Sequence, residues 1–196
     1  MATMKPKERD RIVKAARRMY EGGLVAGTLG SIGVRTSSGA VAVTAVGSRL
    51  GFLQAFDMVT LDDRGLASAD ASRPPGSDSG MFFAVLSAQP SAGSVIRCYS
   101  PYATALAHKG FSALESSPGL FEHLGGVTCV PHYRPGTAGL AGAVAEALRE
   151  SRVAIVEGQG PVIWGRDVDD AVDHAEALEA AAKVALLLQG GGVADA

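Results

Sequence analysis

The strongest constraint on this chain is its rhythm: short apolar runs of strand length alternate with segments of helical spacing, and turns bearing Gly or Pro separate them. Residues 31–44 read as two strands, Ile32/Val34 and Val41/Val43, around the tight turn Ser37-Ser38-Gly39. Further strands are expected at 58–61, 94–98, 127–130, 153–156 and 161–164. Helical spacing marks 8–21, where Ile12, Ala15, Ala16, Met19 and Tyr20 share one face and Gly22-Gly23 stop the run. Helices are also expected from Asp78 or Ser79 to about Gln89, from Pro101 with Ser100 as cap, over 137–150 and over 167–189. Such alternation predicts helices on both faces of a mixed sheet, an α/β domain. No repeat or linker interrupts it, so residues 1–196 are read as one domain with 190–196 as a flexible tail.

Composition removes several functions. The 47% hydrophobic content and 19% charged residues exclude a disordered chain. The balance of 18 basic and 20 acidic residues lacks the cation excess of a nucleic-acid surface. No apolar run approaches the roughly 20 residues that cross a bilayer, and the polar, basic start lacks the apolar stretch of a secretion signal. Neither nucleic acid nor membrane is an expected partner, and the cytoplasm is the expected location. Cys98 and Cys129 are too few for a disulfide scaffold and read as small buried strand residues. With 4 His and no Asn, the chain has little material for a metal cage. Of these, His108, His123 and His174 read as surface residues of helices or their ends.

Four stretches, in order, resemble the class II aldolase/adducin-head family (L-fuculose-phosphate aldolase and ribulose-5-phosphate 4-epimerase-like). They are residues 19–32, with Gly22-Gly23-Leu24-Val25-Ala26-Gly27-Thr28-Leu29-Gly30-Ser31 at their centre; Val43-Thr44-Ala45-Val46-Gly47; Ser100-Pro101-Tyr102-Ala103-Thr104-Ala105-Leu106-Ala107; and Val130-Pro131 with Pro135-Gly136-Thr137. The resemblance implies a three-layer α/β/α sandwich around a mixed, mostly antiparallel sheet. It also implies a small-molecule substrate, a homotetramer with active sites between subunits, and a divalent metal, usually zinc, on three histidines.

Those histidines are replaced here. The positions of the family's His-x-His pair hold Arg97 and Tyr99, and the turn that carries the third reads Gly158-Gln159-Gly160. A guanidinium has no lone pair for zinc, so no metal and no cofactor are expected. On the same resemblance, Asp78 stands where the family has its acid/base Glu. The phosphate-binding Gly-Asn becomes Gly30-Ser31, Thr-Gly becomes Val46-Gly47, and Ser77 alone remains of a serine pair. The thinned donors speak against a sugar phosphate.

Asp78, Arg97, Tyr99 and His132 are therefore the expected catalytic residues, and Gly30, Ser31, Gly47, Ser77, Gln159 and Tyr133 the expected substrate contacts. Each has a plainer alternative. Arg97 either holds a substrate oxyanion or fills the vacant cavity in an ion pair with Asp78 or Glu157. Asp78 either moves protons or caps the next helix. Tyr99 either presents its hydroxyl or plugs the cavity with its ring, and His132 either shuttles protons or is an exposed loop residue. The favoured reading is a metal-independent enzyme of lyase, isomerase or cyclase type acting on a small carbonyl, carboxylate or enolisable compound. The alternative is a non-catalytic assembly module, which requires Arg97, Asp78 and Glu157 to neutralise one another and no pocket to remain.

Overall fold

Seven strands carry the expected apolar runs: β1 Ser31–Arg35, β2 Val41–Thr44, β3 Met58–Leu61, β4 Ser94–Arg97, β5 Val127–Val130, β6 Val153–Val156 and β7 Gly160–Gly165. The computed structural model describes residues 4–68, 71–109 and 124–190. Its helices are α1 Pro6–Glu21, α2 Ser79–Ala88, α3 Pro101–Lys109, α4 Ala138–Glu150 and α5 Val168–Gly190. The strands form one sheet in the order β3-β2-β1-β4-β7-β6-β5. Every pair is antiparallel except β5–β6, which α4 joins as a crossover.

Both faces of the sheet are covered. Ile32, Ile96, Cys98 and Ile163 pack with residues of α1, α3 and α5, while Val43, Val95, Val162 and Trp164 pack with residues of α2 and α4. Burial on two faces explains why β2, β4, β6 and β7 are buried throughout rather than alternating with polar positions. The expected three-layer sandwich is what the chain forms.

Helix α2 lies unusually close to the sheet because Gly33 has no side chain. A Cβ there would stand 2.8 Å from the ring of Phe82. On the other face, α5 is fastened to α1 by charge: Arg18 Nε and Nη2 donate to Glu176 at 2.7 and 2.5 Å. Arg11 pairs with Asp167 at 2.8 Å and also with Asp169.

Several expectations need correction. Tyr20, placed on the apolar face of α1, is 44% exposed and leans on Phe52 with ring centroids 5.9 Å apart. His174, read as a surface residue, is buried where α5 packs, with Nδ1 2.6 Å from the Asp170 carbonyl. Cys129 is exposed, because β5 is an edge strand with a neighbour on one side only. Cys98 is buried as expected, and burial pushes its thiol pKa up. The short 3-10 turns Leu50–Phe52 and Ala55–Asp57 carry no apolar period and were not legible. His123 and residues 191–196 of the expected tail lie outside the described residues. Among the described residues, no helix is long and apolar enough to cross a membrane.

Asp170, near the start of α5, binds Arg152 at 2.9 Å and Arg166 at 2.7 Å. Burial works to raise its pKa, but hydrogen bonds from Arg166 and the charge of Arg152 overcome that and hold it at about 2. A carboxylate depressed in the folded state stabilises it above the unfolded pKa, and that contribution fades as acid titrates the folded group. Asp170→Asn should therefore be less stable than the parent near neutrality. In urea unfolding the gap should close between about pH 4 and about pH 2.

Candidate active site

A pocket of about 330 Å³ opens at the sheet end where β1 begins, β2 and β4 end, and β7 begins. Strand register places Ser31 directly opposite Arg97. Their neighbours Ile32 and Ile96 enter the core beneath α1 and α5. By alternation, Ser31 and Arg97 emerge on the opposite face, where Asp78 opens α2. Gly30 delivers Ser31 to that point. Its φ is +106°, and an added Cβ would meet Val25 Cγ1 at 2.4 Å, so no other residue fits without moving the turn.

Four side chains then close into one buried network. Arg97 Nη1 donates to Asp78 Oδ1 at 2.5 Å, and Arg97 Nη2 donates to Gln159 Oε1 at 2.8 Å. Ser31 Oγ donates to Asp78 Oδ2 at 2.6 Å. The Gln159 amide nitrogen donates in turn to the Tyr133 carbonyl, which fixes the oxygen towards the guanidinium. Ser31, Asp78, Arg97 and Gln159 are all buried, and none exceeds 9% exposure. An isolated buried charge would be expensive, whereas each charge here faces its opposite and a neutral hydrogen-bond partner.

The geometry bears on two of the plainer alternatives, the helix cap at Asp78 and the ion pair of Arg97. Asp78 occupies the N-cap position of α2, yet its side chain makes no capping hydrogen bond; both oxygens are taken by Ser31 and Arg97. Arg97 pairs with Asp78 and not with Glu157, whose side chain is exposed. Tyr99 lines the pocket without closing it, its hydroxyl donating to the Gly158 carbonyl at 2.8 Å.

Of the residues singled out from sequence, Gly30, Ser31, Gly47, Ser77, Asp78, Arg97, Tyr99 and Gln159 line one pocket. His132 and Tyr133 do not. His132 is exposed, with Nδ1 3.3 Å from the Glu157 carbonyl and 3.5 Å from Gln159 Nε2, so both residues stand behind Gln159. Sequence reading missed Thr28, Leu29 and Ser48 as lining residues. The first two lie in the very loop that carries the family resemblance, and the third directly follows Gly47. The Ser48 hydroxyl is buried and has no hydrogen-bond partner among the described residues.

The donor set does not fit the family's metal. Arg97 is a cation, the Tyr99 hydroxyl already donates to the Gly158 carbonyl, and the Gln159 oxygen is engaged by the guanidinium. Among the described residues, no three His, Cys, Asp or Glu side chains converge elsewhere.

The model of the Class II Aldolase and Adducin N-terminal domain family matches residues 10–186. A 3-oxo-tetronate 4-phosphate decarboxylase of Haemophilus influenzae is 29% identical over 189 residues, covering 93% of this chain and 89% of the relative. A methylthioribulose-1-phosphate dehydratase of Gluconobacter oxydans is 27% identical over 179 residues, 86% of either chain. Among solved structures, a sugar-phosphate aldolase from Thermotoga maritima superposes with a TM-score of 0.85, covering 96% of this chain and 97% of its own at 18% identity.

The network predicts strong coupling between its two charges. Arg97→Met alone leaves a buried carboxylate unpaired and should cost about 3–5 kcal/mol. Arg97→Met with Asp78→Leu removes both charges and should recover most of that loss in urea unfolding. Additive losses would show that the two groups are not paired.

Proposed function

This chain belongs to the class II aldolase and adducin N-terminal domain family, and we propose that it is a metal-independent enzyme of lyase type acting on a small enolisable carbonyl or carboxylate compound. The observation that carries the reading is Arg97, a permanent cation held rigidly by Asp78 and Gln159 at the wall of an open pocket. The guanidinium has five N–H donors, and those not given to Asp78 and Gln159 remain for a ligand oxygen. Breaking a C–C or C–O bond beside a carbonyl leaves electron density on that oxygen, and a fixed cation in a site shielded from water stabilises it.

Protons need a separate route. Ser31 Oγ donates to Asp78 and lines the pocket, so it can take a substrate proton while passing its own to the carboxylate. From the other side the Tyr99 hydroxyl, whose proton goes to the Gly158 carbonyl, offers an acceptor oxygen to a substrate hydroxyl. His132 and Tyr133, behind Gln159, position its amide rather than touch substrate. The named relatives, a decarboxylase and a dehydratase, perform cleavages of this general kind, which supports the class of reaction. A homotetramer and a cytoplasmic setting belong to the same proposal.

The assembly-module reading draws on the neutralised Arg97–Asp78 pair. It also requires Glu157 in the network and a filled cavity, and neither condition is met.

The test is turnover of a panel of 3-oxo acids and hydroxy ketones, followed by NMR in the presence of a chelator. The parent should convert at least one compound, and Arg97→Met/Asp78→Leu should lower the rate by about 10²–10³-fold. No conversion across the panel, or an equal rate in the double variant, contradicts the proposal.

A further inference from the structure

We propose that Arg73 is a positioning residue of this pocket, its guanidinium standing in for a backbone N–H that Pro74 lacks. The inference rests on the pocket being the substrate site proposed above. Two neighbouring stretches of the pocket wall are residues 44–48, where the chain leaves β2, and residues 76–78, which lead into α2. Arg73 itself does not line the pocket. Its influence reaches the site through the backbone of Val46.

The two stretches run antiparallel, with Ala45 opposite Pro75. On either side of that pair, the Gly76 N–H bonds the Thr44 carbonyl and the Val46 N–H bonds the Pro74 carbonyl, both at 3.0 Å. In an antiparallel ladder, residues joined by one such bond exchange a second in return. Between Val46 and Pro74 the return donor would be the Pro74 N–H, and proline has none. Arg73 makes good the deficit: its Nη2 donates to the Val46 carbonyl at 2.6 Å. Both polar backbone groups of Val46 are thus held, one by Pro74 and one by the side chain of the residue before it.

The guanidinium is itself fixed in place. Its Nη1 donates to the carboxylate of Asp57, a buried residue. The other Asp57 oxygen accepts from the Gln54 N–H at 2.8 Å, and the Asp57 carbonyl accepts from the Ala45 N–H at 2.7 Å. A buried carboxylate needs its cation, and the planar fork of an arginine can serve a carboxylate and a carbonyl at once. Arg73 and Asp57 together therefore set the course of Ala45 and Val46. With them go the turn at Gly47, whose φ is +70°, and Ser48, whose N–H bonds the Ala45 carbonyl at 3.3 Å. All four of these residues line the pocket. Arg73 makes no hydrogen bond to Ser31, Asp78, Arg97 or Gln159. Loosening this wall should therefore alter how a substrate is held more than how its bonds are broken.

Amide hydrogen exchange of the full chain, read together with steady-state kinetics, tests the assignment. Arg73→Met/Asp57→Asn removes the cation without leaving a buried charge unpaired. In that variant the Ala45, Val46 and Ser48 amides should exchange about tenfold faster, as for the loss of one charge-assisted hydrogen bond. Amides of α1 and α5 should keep their parent rates. For a compound that the parent turns over in the panel above, KM should rise about tenfold while kcat changes by less than about twofold. Adding Pro74→Ala to the variant returns an N–H opposite the Val46 carbonyl and should restore most of both losses. Faster exchange throughout the molecule would mark a general loss of stability and overturn the assignment. Unchanged exchange at 45–48, an unchanged KM, or a Pro74→Ala addition that restores neither quantity overturns it as well. A parent that turns over nothing overturns the proposed function, and exchange with its Pro74→Ala rescue then decides by itself whether Arg73 holds Val46.

Discussion

The buried pair between Arg97 and Asp78 is the interaction around which this end of the molecule is organised. Two charges withdrawn from water persist only where geometry is tight and the remaining donors and acceptors are occupied. The fold meets that demand with one hydroxyl and one amide. Ser31 takes the second carboxylate oxygen, and Gln159 takes the second guanidinium nitrogen. In the proposed function this unit stands where the family resemblance places three metal ligands and an acid/base carboxylate, with the positive charge supplied by Arg97.

Much of the fold serves that placement. Register across β1 and β4 sets Ser31 against Arg97. The missing side chain at Gly33 lets Phe82 rest on the sheet, and Phe82 lies one helical turn beyond Asp78, to whose carbonyl its N–H bonds at 2.9 Å. A larger residue at Gly33 would lift α2 and carry Asp78 away from Arg97. The opposite face holds no part of the pocket network. There the α1–α5 ion pairs keep the long C-terminal helix against the sheet.

The alternation of strands and helices was legible because short apolar runs and helical spacing differ in period, and both survive without knowledge of neighbours. The burial of Cys98 was legible too, from its place at the end of an apolar run. What depended on neighbours was less visible. Cys129 looks like a core residue until β5 is known to be an edge strand. His174 looks exposed until the packing against α5 is known. Asp78 has the sequence position of a helix cap, but a cap competes with any cation nearby, and only the fold brings Arg97 to it. His132 and Tyr133 fall just outside the pocket because Gln159 stands between. Leu29 and Val46 were in view as members of motifs, yet their exposure at the pocket wall is a property of loop conformation.

The proposed function puts the Arg97 guanidinium in the place of the family's metal. Elemental analysis of the full chain, expressed with zinc in the medium and purified without chelator, tests it most directly. Zinc far below one equivalent per chain is expected, unchanged in Arg97→Met/Asp78→Leu. One tightly held zinc per chain, lost in that variant, would contradict it.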